Sequence, residues 1–444
     1  MVKKRPTLIK KTEKATGNGG FLCDDESKKT CFNLIIWYNC KEFLSKVSAR
    51  RYFLESEGSS MIYFDNSATT QAAPTVLDTY TKVSQQVWGN PSSLHNFGES
   101  AYQLLEQSRQ QIADLLNVKA REIFFTSGGT EGDNWVLKGT AMEKRTFGKH
   151  LITTAVEHPA IHNSMEQLKE LGFDVTYLPV DQEGRISIDD LKAAIRPDTI
   201  LVSVMAVNNE IGTIQPLQAV ADVLKDYPKI HFHIDAVQGI GKGIQKLIMN
   251  DRVDFVTFSG HKFHATRGVG FIYARTGRKL APLMAGGGQE NNWRSGTENL
   301  PAIAGMAKAL RLLLTDEDQK VARERAVKQR IYDHIKDFAK VDIFSRPTDG
   351  FAPHILCFTI NGVRGETIVH AFEDQGIYIS TTSACSSKKH MASSTLMAMH
   401  TPEAVATSAV RISLDENNTL AEADEFNQIF DKLYQRFSKI NADA

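Results

Sequence analysis

The chain has 444 residues, enough for two or three domains with a sizeable core. Its 52 basic and 52 acidic side chains balance, and 42% of residues are hydrophobic, which argues against disorder and against nucleic acid as the main ligand. Five scattered cysteines (Cys23, Cys31, Cys40, Cys357, Cys385) do not make a disulfide scaffold, and no apolar run approaches a bilayer span, so a soluble protein of a reducing compartment, the cytoplasm, is expected.

Residues 1–60 differ from the rest. They carry twelve Lys/Arg against seven Asp/Glu, leaving 40 against 45 for the remainder. Their opening is Lys-rich, polar and without helical periodicity, which predicts a disordered arm rather than a targeting signal. The Glu57-Gly58 pair, encoded by a purine-rich run just before Met61, resembles a translated ribosome-binding sequence. Met61 is therefore the expected native start, and the peptides recovered from the natural source would test it.

Beyond Met61, Ala101, Leu104, Leu105, Ile112, Leu115 and Leu116 form one helical stripe within 99–118. Short apolar or β-branched runs follow at 122–126, 150–156, 174–180, 199–207, 229–234, 254–258 and 269–273, most of them separated by helical segments such as 160–171 and 217–227. Alternation of this kind predicts a largely parallel sheet covered on both faces. The last connection is too short for a parallel crossover, so the final strand should run antiparallel. After Pro301, helices are expected at 302–314 and 318–339, then strands near 354–360 and 376–380 and a closing helix over 421–437. The expected division is an N-terminal extension (1–60), a segment packing with the small domain (61–75), a large domain (76–310) and a small α+β domain (311–444).

In an open α/β sheet, ligands gather beyond the carboxyl ends of the strands. There the chain places Thr126-Ser127-Gly128-Gly129-Thr130-Glu131, a glycine turn opening a helix, whose free N–H groups suit a phosphate. Read alone it is an ordinary turn and cap. Asp235 ends another strand, where a bland reading is a helix cap and a sharper one is a partnered buried acid. Lys262, in Ser259-Gly260-His261-Lys262, would by itself be a surface charge. Together an amine, an acid and a phosphate cup at neighbouring strand tips are what pyridoxal 5′-phosphate (PLP) requires. His158 and His162 could be read as a metal pair at i, i+4, but no zincin glutamate or third ligand accompanies them, so no metal is expected.

The motifs Tyr63–Thr70, Thr126–Glu131, Glu157-His158-Pro159, Val207–Gly212, Asp235–Gln238, Ser259–Lys262, Arg294–Thr297 and Ser383–Ser387 occur in an order and spacing that resembles NifS/IscS-type cysteine desulfurases of the class V aminotransferase group, over roughly 350 residues. The resemblance implies a PLP-dependent transferase of fold type I, with a mostly parallel seven-stranded sheet flanked by helices and a smaller α+β domain. It implies Lys262 as the Schiff-base amine, Asp235 on the pyridine nitrogen, Gln238 on the ring hydroxyl, and Gly129, Thr130, Ser259 and His261 at the phosphate. His158 would stack on the ring and relay protons. Thr297 would reach the cofactor of a second subunit, implying a homodimer, while Asn209, also at the cofactor, and Arg411 would orient the substrate carboxylate.

Cys357 lies in an apolar run and reads as a small core residue. Cys385 lies among Ser, Thr and Lys, so an exposed loop is expected, with Lys388 and Lys389 favouring its thiolate. The resemblance makes it the persulfide carrier, turning L-cysteine into L-alanine and passing sulfur to an acceptor protein, an Fe–S scaffold or a tRNA- or cofactor-thiolating enzyme. A class V aminotransferase or selenocysteine lyase is the enzymatic alternative, and a sulfur carrier without PLP the non-enzymatic one. A tRNA-binding role for residues 1–60 is a third; otherwise neither membrane nor direct nucleic-acid contact is expected. Two departures stand out: relatives carry a Gly-Pro-Lys-Gly-like turn after the lysine where this chain reads His264-Ala265-Thr266-Arg267-Gly268, and 388–408 is poor in glycine.

Overall fold

A computed structural model describes residues 61–382 and 392–440. The chain enters through a two-residue strand β1 (Ile62–Tyr63) and helices α1 (Pro74–Gln86) and α2 (Asn96–Leu116). Then come β2 (Ile123–Thr126), α3 (Gly129–Lys144), β3 (His150–Thr154), α4 (Pro159–Glu170), β4 (Asp174–Leu178), α5 (Ile188–Ala194), β5 (Thr199–Met205), α6 (Leu217–Leu224), β6 (His231–Asp235), β7 (Phe255–Ser259) and β8 (Gly270–Ala274). These strands form one seven-stranded sheet in the order β2-β8-β7-β6-β5-β3-β4. The five strands from β7 to β4 pair in parallel, whereas β8 runs antiparallel to both β7 and β2, as the short connection predicts.

Every residue of β2, β3, β5, β6, β7 and β8 is buried, the mark of a sheet with helices on both faces. Only the edge strand β4 shows exposure. Such strands leave no solvent-facing position for polar groups along their length, so their chemistry is confined to the tips. On α2 the predicted stripe is inward, with Ala101, Leu105, Ile112 and Leu116 buried.

Helices α7 (Leu300–Leu314), which packs on α1 and α2, and α8 (Glu317–Ile335) lead to a three-stranded antiparallel sheet, β11-β12-β9, made of β9 (Ile355–Thr359), β11 (Ser380–Thr381) and β12 (Ala409–Ser413). Between β9 and β11 lie α9 (Gly365–Glu373) and β10 (Ile377–Tyr378), and α10 (Leu420–Ile440) closes the chain against α8. Its core joins Val327, Ile331, Phe358, Phe372, Val410, Phe426 and Phe430. β1 pairs in parallel with β10, so the N-terminal segment is sewn into this second layer by backbone bonds.

The sequence reading did not anticipate β12. Its alternation is real, since Val410 and Ile412 join the core while the intervening Arg411 is buried on the other face. A buried cation in a five-residue run hides the pattern. Among the described residues, no helix is long and apolar enough to cross a membrane.

Candidate active site

The tips of β2, β6 and β7 meet at one cup. After β2 the chain turns through Ser127-Gly128 into α3, and no side chain caps the first turn of that helix among the described residues. Its leading N–H groups and the positive end of its dipole therefore face the cup. Gly129 is required by close approach: an added Cβ would stand 2.8 Å from Val237 Cγ2 and 3.4 Å from Ser259 Cβ. Ser259 is buried at the end of β7, and an added Cβ on Gly270 of β8 would lie 2.7 Å from the Cα of Gly128. The glycines thus let backbone, rather than side chain, form the wall, a construction suited to an anion.

Glu131 fixes the rim of this cup. Its Oε2 accepts the Ser127 N–H at 2.8 Å, and Arg294 grips both oxygens, Nε to Oε1 at 2.7 Å and Nη2 to Oε2 at 3.1 Å. Burial opposes ionisation of Glu131, but the Arg294 and Ser127 bonds outweigh it and hold the carboxyl below its usual range. Two of the motifs are thereby joined by a bidentate pair. The sequence reading missed this link.

Lys262 follows β7 in a short 3-10 turn, Gly260–Lys262. Its Nζ donates to the carbonyls of Ser67 and Ala68, the latter at 2.9 Å. Gln238 Nε2 donates to the same Ser67 carbonyl at 3.0 Å. The 67–70 segment is pinned to the lysine turn in return, because Thr70 N–H and Oγ1 both donate to the His261 carbonyl at 2.9 and 3.0 Å. His261 itself touches Thr69 Oγ1 at 3.2 Å, and burial together with the Lys262 and Arg267 charges pushes its ring down to about 4, leaving it neutral.

Asp235, at the tip of β6, is buried, and its Oδ1 accepts the Val237 N–H at 2.9 Å. The capping role and the buried-acid role therefore coexist in one side chain. Burial pushes its carboxyl up to about 6, against the opposing pull of the Val237 bond and the Lys262 charge. Behind it lie two further buried acids that the sequence reading left unassigned. Glu157 accepts from Thr154 Oγ1 at 2.8 Å and from the Met205 N–H at 3.0 Å, yet burial still raises it to about 8. Asp133 is raised well above the usual range by burial and then by the Asp235 charge. With these two neutral, Asp235 is the acid poised to ionise beside a cation.

His158 caps α4, its Nδ1 accepting the Ala160 N–H at 3.1 Å. That bond places the ring proton on Nε2. Burial and then the Lys262 charge push the ring down to about 4. His162 instead lies against the Tyr177 ring, with centroids 5.4 Å apart.

Arg411 reaches from β12 toward the same region. Its Nη1 donates to the Asn209 carbonyl and its Nη2 to Asp65 Oδ1, both at 2.8 Å. Its buried Nε has no partner among the described residues. The guanidinium is thus already oriented, by a backbone oxygen of the 207–212 turn and by an aspartate just beyond β1. Thr130 is exposed on the cup, and Thr297 is exposed in the loop before α7, where no bond brings it to the cup of its own chain among the described residues. Cys385, with the motif around it, lies outside the described residues, as do residues 1–60.

The family model described as "Aminotransferase class-V" matches residues 62–426. The chain belongs to the class V aminotransferase family. A "NifS/IcsS protein homolog" of Lactobacillus delbrueckii subsp. bulgaricus is 60% identical over 86% of this chain and 99% of its own. A "Cysteine desulfurase IscS" of Dictyoglomus turgidum is 38% identical over 86% of this chain and 96% of its own. Among solved structures, a "NIFS-LIKE PROTEIN" superposes with a TM-score of 0.78 at 36% identity, covering 85% of this chain and all of that one. Another, described as "SspA in complex with cysteine", does so at 0.69 and 32% identity, over 80% of this chain and 99% of its own. The parallel sheet with its antiparallel β8 is therefore the fold of a class V aminotransferase.

Proposed function

We propose that the protein is a PLP-dependent cysteine desulfurase. The observation that carries this reading is the convergence of the Lys262 amine and the buried Asp235 carboxyl, at adjacent strand tips, on a glycine-walled anion cup. Relatives named "Cysteine desulfurase IscS" align with this chain over nearly their whole length, which supports the same assignment.

The residues present fit PLP. A Cβ at position 129 would fill the cup, the first turn of α3 offers free amide donors, and a buried Ser67 hydroxyl near the lysine has no partner among the described residues. Gly129, Thr130, Ser259 and His261 would hold the phosphate, Gln238 the ring hydroxyl and Asp235 the pyridine nitrogen, with Asn209 alongside. When bound, the cofactor supplies an electron sink for a carbanion at the substrate α-carbon.

The chain's own groups do the rest. Asp235, ionised opposite a protonated ring nitrogen, keeps that proton in place. Arg411, oriented by Asp65 and the Asn209 carbonyl, binds the substrate carboxylate. His158, near enough to Lys262 to feel its charge, would stack on the ring and hand on a proton, and Lys262 would be the amine that holds the cofactor. The net change is balanced: the Cβ–S bond of L-cysteine breaks, its sulfur joins the Cys385 sulfur as a persulfide, and the β-carbon takes a proton to become the methyl of L-alanine. The sulfur then passes to an acceptor protein for Fe–S assembly or thiolation. Exposed Thr297 suits a contact with the phosphate in a second subunit, so we assign a homodimer, with the large and small domains meeting near residue 310 and a cytoplasmic location in keeping with the IscS-type relatives.

Alanine and sulfide release from L-cysteine by wild type and Cys385→Ser tests the reading. Loss of persulfide and at least a tenfold loss of turnover in the variant are expected. Undiminished turnover would point instead to an aminotransferase or selenocysteine lyase.

A further inference from the structure

His264 stands two residues past Lys262, in the turn that follows the 3-10 segment Gly260–Lys262. Its backbone is left-handed, with φ +64°, a conformation that a residue with a Cβ adopts only at a cost and so only where its surroundings hold it there. The N-terminal segment holds it there: the His264 N–H donates to Thr70 Oγ1 at 2.7 Å and its carbonyl accepts from the Ala73 N–H at 3.0 Å.

The ring then spans two distant parts of the chain. Nδ1 lies 2.9 Å from the Gln71 carbonyl oxygen, and Nε2 lies 3.2 Å from Glu416 Oε2 and 3.8 Å from Asp415 Oδ2. A carbonyl can only accept, and so can an ionised carboxylate. Both ring nitrogens must therefore carry hydrogen, which a neutral imidazole cannot provide. Glu416 is suited to this role, since burial is outweighed by the His264 bond and charge and its carboxyl is held down at about 2. Arg323 of α8 steadies the same turn by donating to the Glu416 carbonyl at 2.8 Å.

The other charges around the ring do not reverse this balance. Lys242, on the loop after β6, lines the same small cavity as Lys262 and His264, but it is paired with Glu324 of α8. His354, before β9, lines that cavity too and is held neutral by burial and the surrounding cations. On its own turn, His261 is neutral and Arg267 is exposed.

We propose that His264 is a positioning residue for Lys262, an imidazolium bridge that ties the carbonyl-bearing 67–71 segment to the Asp415-Glu416 turn. This rests on the reading of Lys262 as the cofactor-bearing amine. The segment that His264 grips at Gln71 is the one whose Ser67 and Ala68 carbonyls receive the lysine Nζ. Losing the ring charge removes one end of the bridge and frees that segment to move relative to the amine.

The sign of the pH dependence follows. Burial opposes the charge on His264, but the Glu416 bond and the two carboxylates outweigh it and raise the ring above its usual value. Its contribution is complete below the unfolded histidine value and is lost as pH rises through the folded one.

Two measurements on the full chain test the proposal. Titration of the histidine Cε1 resonances should show His264 titrating above an ordinary histidine, and Glu416→Gln should bring it down. The visible absorption of the holoenzyme should change with pH through the same midpoint in wild type. It should lose that step in His264→Asn, whose side chain tolerates a left-handed backbone but cannot span to Glu416. A His264 titration at or below the ordinary value, or identical absorption profiles for wild type and variant, would overturn the proposal. If no visible band forms in wild type, the reading of Lys262 fails and the positioning role with it, while the resonance titration still decides the bridge. Should His264→Asn not fold, Glu416→Gln serves in both measurements.

Discussion

At the scale of single residues, the site works by forcing unequal protonation on groups of the same kind. Asp133, Glu157 and Asp235 are all buried and all raised by burial, but only Asp235 is faced by the Lys262 charge, which pulls it back toward ionisation. In cofactor-stripped protein, its folded value of about 6 exceeds the usual 3.8, so the folded state binds this proton more tightly than the unfolded state. Stability should then fall as pH rises from about 4 to about 6 and stay flat above. Cofactor-stripped Asp235→Asn is expected to be more stable than stripped wild type at pH 7, by about 1–3 kcal/mol, with the gap closing by pH 4; denaturant melts at both pH values check it. In the loaded enzyme the same substitution has the opposite consequence, a fall in turnover of at least about 100-fold, because the ring nitrogen loses its counter-charge. Asp235 and Lys262 could be picked out from the sequence because an acid and an amine end apolar runs. The Glu131–Arg294 pair and the His264–Glu416 bridge could not, since their partners are 163 and 152 positions apart and only the fold joins them.

At the scale of elements, the central strands were legible for the reason that makes them central. Burial on both faces demands unbroken apolar runs, and such runs are visible without knowing what covers them. The two-residue strand β1 has no period to read, the strand expected near 376–380 is split into β10 and β11, and β12 is masked by Arg411. Helix α1 went unnoticed because only Val76 and Val83 of its thirteen residues are buried, too narrow a stripe to stand out. The start of α3 is the element on which the cup depends. Gly129→Val would drive methyl groups into Val237 and Ser259, so cofactor affinity should fall at least tenfold, with about 1–3 kcal/mol lost in stability from overpacking. Equilibrium dialysis against PLP and thermal melting of the variant measure the two effects separately. Affinity equal to wild type would mean that the anion site lies elsewhere.

At the scale of the whole molecule, the N-terminal segment is the link between the two layers. β1 pairs with β10 of the second layer, Asp65 orients Arg411, Ser67 and Ala68 receive Lys262, and Thr70 and Gln71 hold the turn that carries it. A stretch of ten residues thereby connects the amine at the tip of β7 with the arginine of β12. In the proposed function, substrate carboxylate and cofactor amine would then be held in one frame, which is what an exchange between two amines at a fixed distance from a carboxylate requires. The most direct check is borohydride reduction of the full-length holoenzyme followed by peptide mass spectrometry. A reduced cofactor attached to Lys262 at near one per chain is expected, and it should vanish in Lys262→Ala. Attachment to any other lysine, or an unlabelled Lys262 in protein that turns over L-cysteine, would contradict the site described above.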